Sequence, residues 1–155
     1  MKNIRILGVL FLITILSVNS FCQSLENFDD VLNENKTGKL ITKREGKDIS
    51  ERILLGILKD DRGAVQYYVV KEFLRVKAAI VYRGHSRILF FNSEKKLVFE
   101  SILSMPYDLP FKLKNDSLYF KYSDNGIPKI FKQSVHPLPK MICVQPKSCY
   151  ELSIP

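Results

Sequence analysis

The stretch from Val76 to Phe99, V-K-A-A-I-V-Y-R-G-H-S-R-I-L-F-F-N-S-E-K-K-L-V-F, limits the possible folds more than any other part of the chain. Three apolar runs, Ala78 to Tyr82, Ile88 to Phe91 and Leu97 to Phe99, alternate with the polar breaks Arg83-Gly84-His85-Ser86 and Asn92-Ser93-Glu94-Lys95-Lys96. Short runs rich in β-branched and aromatic residues, joined by short polar breaks, predict an antiparallel meander. On this reading Gly84 and Ser86 serve a hairpin turn, and His85 is a turn residue.

The rhythm recurs on both sides. Leu118 to Tyr122, then Ser123-Asp124-Asn125-Gly126, then Ile127 to Phe131 is the clearest hairpin, because Asn-Gly readily adopts the positive φ angles of a tight turn. Leu118, Phe120 and Tyr122 fall on one face, and Tyr119 and Lys121 on the other. Arg52 to Lys59, Asp60-Asp61-Arg62-Gly63 and Val65 to Val70 form a further hairpin candidate. Ile49, Ile53, Ile57 and Leu58 also fit helical spacing behind the capping-box pattern Asp48-Ile49-Ser50-Glu51. Gly56 in the middle of that run disfavours the helix by about 1 kcal/mol. Leu74, Val76, Ala78, Ile80 and Tyr82 alternate with Arg75, Lys77, Ala79, Val81 and Arg83, which favours a strand. The expected fold is therefore mainly β: an antiparallel meander, as a twisted sheet or partly closed barrel, with a short N-terminal helix. The alternative is an α+β fold with one or two helices between residues 48 and 83.

The helix is expected over Ser24 to Asn35, where Leu25, Phe28, Val31 and Leu32 share a face, Asp29 and Asp30 point to water, and Ser24 is a preferred N-cap. Two prolines make Met105 to Pro110 a connecting loop. The proline-rich tail from Val135 reads as an irregular strap across the sheet.

Lys2 and Arg5 precede an almost unbroken apolar run, Ile6 to Val18, closed by Asn19-Ser20-Phe21-Cys22-Gln23. This fits a secretory signal and is shorter than the roughly 20 residues that cross a bilayer. Residues 1–22 are thus expected to be a cleaved leader and residues 23–155 one mature β-rich domain, secreted or periplasmic, with no transmembrane segment after cleavage. Lipidation at Cys22 is the competing reading, disfavoured because Phe21 stands where a small residue is usual. Cleavage removes two of 24 basic residues and none of the 16 acids, lowering the formal charge from +8 to +6. The basic residues are scattered among acids rather than gathered into a stripe with stacking aromatics, so nucleic acid is not an expected partner. Cys143 and Cys149 remain as an even pair, which in an exported chain reads as a disulfide.

No motif names a chemistry. Gly84-His85-Ser86-Arg87-Ile88 resembles the start of the α/β-hydrolase nucleophile elbow, with acids and then His136 downstream. Ile88 occupies the place of the second glycine, and the mature chain is too short for that fold's doubly wound sheet. His85 and His136, the only histidines, lie in no metal-ligand spacing, so no metal site, cofactor or catalytic set is expected. Tyr67, Tyr68, Tyr82, Tyr119 and Tyr122 form a candidate contact surface, since tyrosine offers area and a polar tip at low entropy cost. The expected activity is a non-catalytic binding or structural module that meets an exported protein or a cell-surface glycan. The alternatives are a small exported hydrolase using Ser86 with His85 or His136, and an inhibitor or immunity-type partner of an exported enzyme.

Overall fold

The computed structural model describes residues 27–34 and 36–155. The leader, Cys22, the Ser24 cap and Leu25 lie outside the described residues, as does Asn35 at the expected end of the helix.

The described residues begin with a short helix α1 (Asp29–Asn33), followed by β1 (Leu40–Glu45), β2 (Asp48–Lys59), β3 (Val65–Ala78), β4 (Val81–Phe91) and β5 (Leu97–Leu103). These five strands form one antiparallel sheet in sequence order, a meander. After a single 3-10 turn at Pro106–Asp108 come β6 (Lys112–Lys114), β7 (Ser117–Asp124) and β8 (Ile127–Ser134), a three-stranded sheet. β9 (Met141–Gln145) and β10 (Ser148–Glu151) form a separate two-stranded ribbon. Among the described residues the fold is mainly β and antiparallel with one short helix, and no barrel closes. Between residues 48 and 83, where helix and strand patterns competed, the chain is strand on both sides of the Asp60–Ala64 loop, interrupted only by the turn at Ala79-Ile80.

Side chains alternate across the five-stranded sheet and so feed two cores. Towards the smaller sheets, Leu55, Leu58, Val69, Ile88, Phe90 and Leu103 pack against Leu118, Phe120, Val135, Ile142 and Val144. On the opposite face Leu54, Val70, Leu89 and Phe91 receive Phe28, Val31 and Leu32 of the helical segment. A helix of five residues cannot persist alone. It forms here because those three side chains are buried, each contributing roughly 1.5–3 kcal/mol, and because Asn27 Oδ1 accepts the Asp29 amide at 2.8 Å. The Phe28 and Phe91 ring centroids are 5.0 Å apart.

The turns follow from their residues. Asp60 Oδ1 accepts the amides of Arg62 and Ala64 at 2.9 and 2.8 Å. Asn92 Oδ1 does the same for Glu94 and Lys96 at 3.0 and 2.9 Å. Asn125 and Gly126, both at positive φ, make the β7–β8 turn. Gly56 marks a bulge in β2, where an added Cβ would stand 3.0 Å from Leu113 Cδ2.

Three local expectations are corrected. The tail is not an irregular strap: β9 and β10 pair, and Ile142 and Val144 enter the main core. Asp30 does not face open water, because Lys43 Nζ lies 3.5 Å and Arg52 3.7 Å from its carboxylate. The third lies in Val76 to Phe99. Arg83 to Ser86 is not a turn, since β4 runs unbroken through it, and His85 is a strand residue. The reversal falls at Ala79-Ile80, inside the apolar run, with Ala78 opposite Val81 and Ala79 at φ 56°.

Candidate functional site

Two regions of the five-stranded sheet stand out, one for its buried charges and one for contiguous exposed apolar residues: a charge ladder beneath α1, and the projecting end of the β3–β4 hairpin.

The ladder is assembled from residues far apart in sequence. Glu72 on β3 is fully buried between Arg52 on β2 and Arg87 on β4, its cross-strand neighbours. One carboxylate oxygen, Oε1, accepts from Arg52 Nε at 2.9 Å and from the Ser50 hydroxyl at 2.7 Å. The other, Oε2, accepts from Arg87 Nε at 2.9 Å and also from its Nη2. Arg87 continues to Glu100 on β5 through an Nη1 contact of 3.2 Å. Arg52, also fully buried, lies 3.8 Å above the centre of the Phe28 ring and donates to the Asn27 carbonyl. The ladder thus ties four strands together and fastens the helical segment to them.

Beside it a cleft of about 650 Å³ opens between α1 and the β4–β5 end of the sheet, lined by Phe28, Leu32, Arg87, Lys95, Glu100 and Pro155 among others. Three of its charged side chains, Arg87, Glu100 and Lys95, already have partners. Arg87 is bonded to Glu72 and Glu100, and Lys95 donates to Asn33 Oδ1. These pairings account for the ladder as a structural device.

The hairpin end differs. β2 pairs with β3 only as far as Ile49 opposite Arg75, and β5 pairs with β4 only as far as Leu103 opposite Ser86. Beyond those points the two strands pair only with each other, through Val76 opposite Arg83, Lys77 opposite Tyr82 and Ala78 opposite Val81. The free ribbon extends by about four residues, or roughly 13 Å. Its apex is apolar and open: Ile80 is 92% exposed, Val81 60% and Tyr82 51%. Lys77 lies on the Tyr82 face, its ammonium 5.7 Å from the ring centre, and Arg83 lies on the opposite face. Among the described residues no ion pair engages Lys77 or Arg83. The acids nearest the ribbon's base are occupied, Asp48 accepting the Lys77 amide at 2.8 Å and Glu51 accepting from Arg75 at 2.8 Å.

Gly84 explains how the ribbon is built. An added Cβ there would stand 2.8 Å from Phe73 Cε2, so the ring lies across the space that a side chain would fill. A glycine read as a turn residue is instead the platform for a cross-strand aromatic ring.

The residues singled out from sequence are not brought together. Ser86 is buried on the face towards the smaller sheets, and His85, its neighbour in the strand, projects from the other face. His136 sits between β8 and β9, ahead of a cis bond to Pro137. No hydrogen bond joins Ser86 to either histidine among the described residues. Among those residues no group of three or more His, Cys, Asp or Glu is placed to hold a metal ion. Tyr67 is half-buried, edge-on to Phe90 and Phe99. Tyr68 packs against the helix-side core. Tyr119 meets Phe111 edge-on and Tyr122 is half-buried, which leaves Tyr82 as the most exposed of the five. Cys143 and Cys149 face each other in the terminal ribbon with their sulfurs at bonding distance, 2.03 Å.

Lys71 is half-buried. Burial holds its ammonium below the ordinary 10.5, and it donates to the Pro110 carbonyl at 3.0 Å.

Fold and surface define an antiparallel β protein with a charged interior ladder and a protruding apolar hairpin. Comparison of the chain with protein-family models, curated proteins and solved structures returned no match. No helix among the described residues is long and apolar enough to cross a membrane.

Proposed function

We propose that this chain is a non-catalytic binding module acting outside the cytoplasm, with the β3–β4 hairpin end as its contact element. The observation that carries the reading is the exposure of Ile80, Val81 and Tyr82 together on one projection. Scattered apolar residues are ordinary on a protein surface, whereas contiguous ones mark contact sites. The apolar leader and the paired cysteines support export.

The test is sedimentation of the protein with the isolated cell envelope of its host. Wild type is expected to co-sediment, and the double variant Ile80→Ser/Val81→Ser to remain largely in solution. Failure of wild type to bind, or covalent labelling of Ser86 by a fluorophosphonate, would overturn the reading.

A further inference from the structure

We infer that the β3–β4 hairpin end is a membrane-surface anchor that inserts its apex into an anionic bilayer. This deepens the binding-module reading and rests on it.

Three features converge on a bilayer. The first is shape: strand pairing to the rest of the sheet ends at Arg75 and Ser86, the Asp48 carboxylate holds the ribbon's base at the Lys77 amide, and Ala78 to Tyr82 project beyond it, so the tip can enter another phase without displacing neighbouring structure. The second is polarity along its length. Ala78, Ala79, Ile80, Val81 and Tyr82 at the end are all exposed, with no charged residue among them. The third is charge around the apex. Lys77 and Arg83 follow immediately behind it on opposite faces of the ribbon, and His85 comes next on the Arg83 face.

An apolar tip, an aromatic ring and a collar of cations match, in order, the acyl region, the interface and the headgroup plane of an anionic leaflet. A cation collar on both faces favours a bilayer over a protein pocket. A pocket would have to supply matching anions on two opposite walls, whereas an anionic headgroup layer surrounds the ribbon on every side. Lys and Arg also extend their stems along apolar surface while keeping the charge at the headgroups. Each cation near such a surface contributes roughly fivefold in affinity.

The sequence contains no tryptophan, so Tyr82→Trp places a single reporter at the apex. Emission is recorded with vesicles of phosphatidylcholine and with an equimolar mixture of phosphatidylcholine and phosphatidylglycerol. The reporter is expected to shift to the blue and to be quenched by brominated acyl chains in the anionic vesicles only. Lys77→Gln/Arg83→Gln in the same background is expected to weaken binding about 25-fold, and added salt to weaken the unsubstituted reporter protein. Ile80→Ser/Val81→Ser is expected to abolish the shift. The reading is local to the apex, so the apolar stretch Ile6 to Val18 cannot mimic it.

An unshifted reporter on anionic vesicles would overturn the inference, as would equal shifts on both vesicle types or a shift that survives the serine substitutions. If wild type binds whole envelope through Ile80 and Val81 while the vesicles leave the reporter unchanged, the occupant is an envelope protein or glycan. The lipid inference then fails and the binding-module reading stands. If neither envelope nor vesicles bind, both fail.

Discussion

Replacing Glu72 with glutamine removes the one anion held between two arginines while leaving the volume of the side chain almost unchanged. Glu72 and Arg52 are both fully buried, and the carboxylate accepts from Ser50, Arg52 and Arg87. In Glu72→Gln, Arg52 keeps Asp30 at 3.7 Å and Arg87 keeps Glu100 at 3.2 Å, but the closest countercharge is lost from the interior. Breaking a buried pair from one side costs about 3–5 kcal/mol. For a chain of this size that corresponds to a fall in Tm of roughly 6–20 °C. Urea unfolding followed by far-ultraviolet circular dichroism reads the change as a lower midpoint at unchanged slope. The double variant Arg52→Met/Glu72→Leu removes both charges together and leaves Arg87 to Glu100, so it should lose less than Glu72→Gln alone. A Glu72→Gln cost below about 1 kcal/mol, the range of a surface ion pair, would refute the argument. So would a double variant whose loss equals the sum of the two single ones, because charges that share one network do not act independently.

Gly84→Ala should destabilise by about 1–3 kcal/mol as the new methyl displaces the Phe73 ring, and the loss should shrink in a Phe73→Leu background, both measured by urea midpoint. Lys71 gives a pH signature: its folded pKa lies below 10.5, so the unfolded chain binds more protons between the two values, and stability should rise with pH across that window. Lys71→Met should remove that rise when midpoints of the two proteins are compared at increasing alkaline pH. Cys143→Ser/Cys149→Ser releases a crosslink spanning six residues of sequence and should cost about 2 kcal/mol on the loop-entropy estimate, read as a lower Tm that reducing agent reproduces in wild type.

The sequence by itself determined the local elements. Alternation along Leu118 to Tyr122 and Leu74 to Ala78 is a property of neighbouring residues, and a strand needs little more than that and a sheet to join. Asn125-Gly126 specified its own turn, and Asp60 and Asn92 carried the side chains that close theirs. Tertiary structure decided where β3 turns back into β4. The residues from Leu74 to Tyr82 alternate as well for one long strand as for two short ones. The reversal at Ala79-Ile80 follows from cross-strand register, in which Glu72 meets Arg87 and the Phe73 ring covers Gly84. That register placed an apolar run, expected within a single strand, at an exposed hairpin apex. The ladder was equally hidden, since Arg52, Glu72, Arg87 and Glu100 lie on four strands and nothing local marks them as partners. Short-range patterning acts along the chain, whereas the pairing of buried charges is settled only when distant strands lie side by side and exclude water.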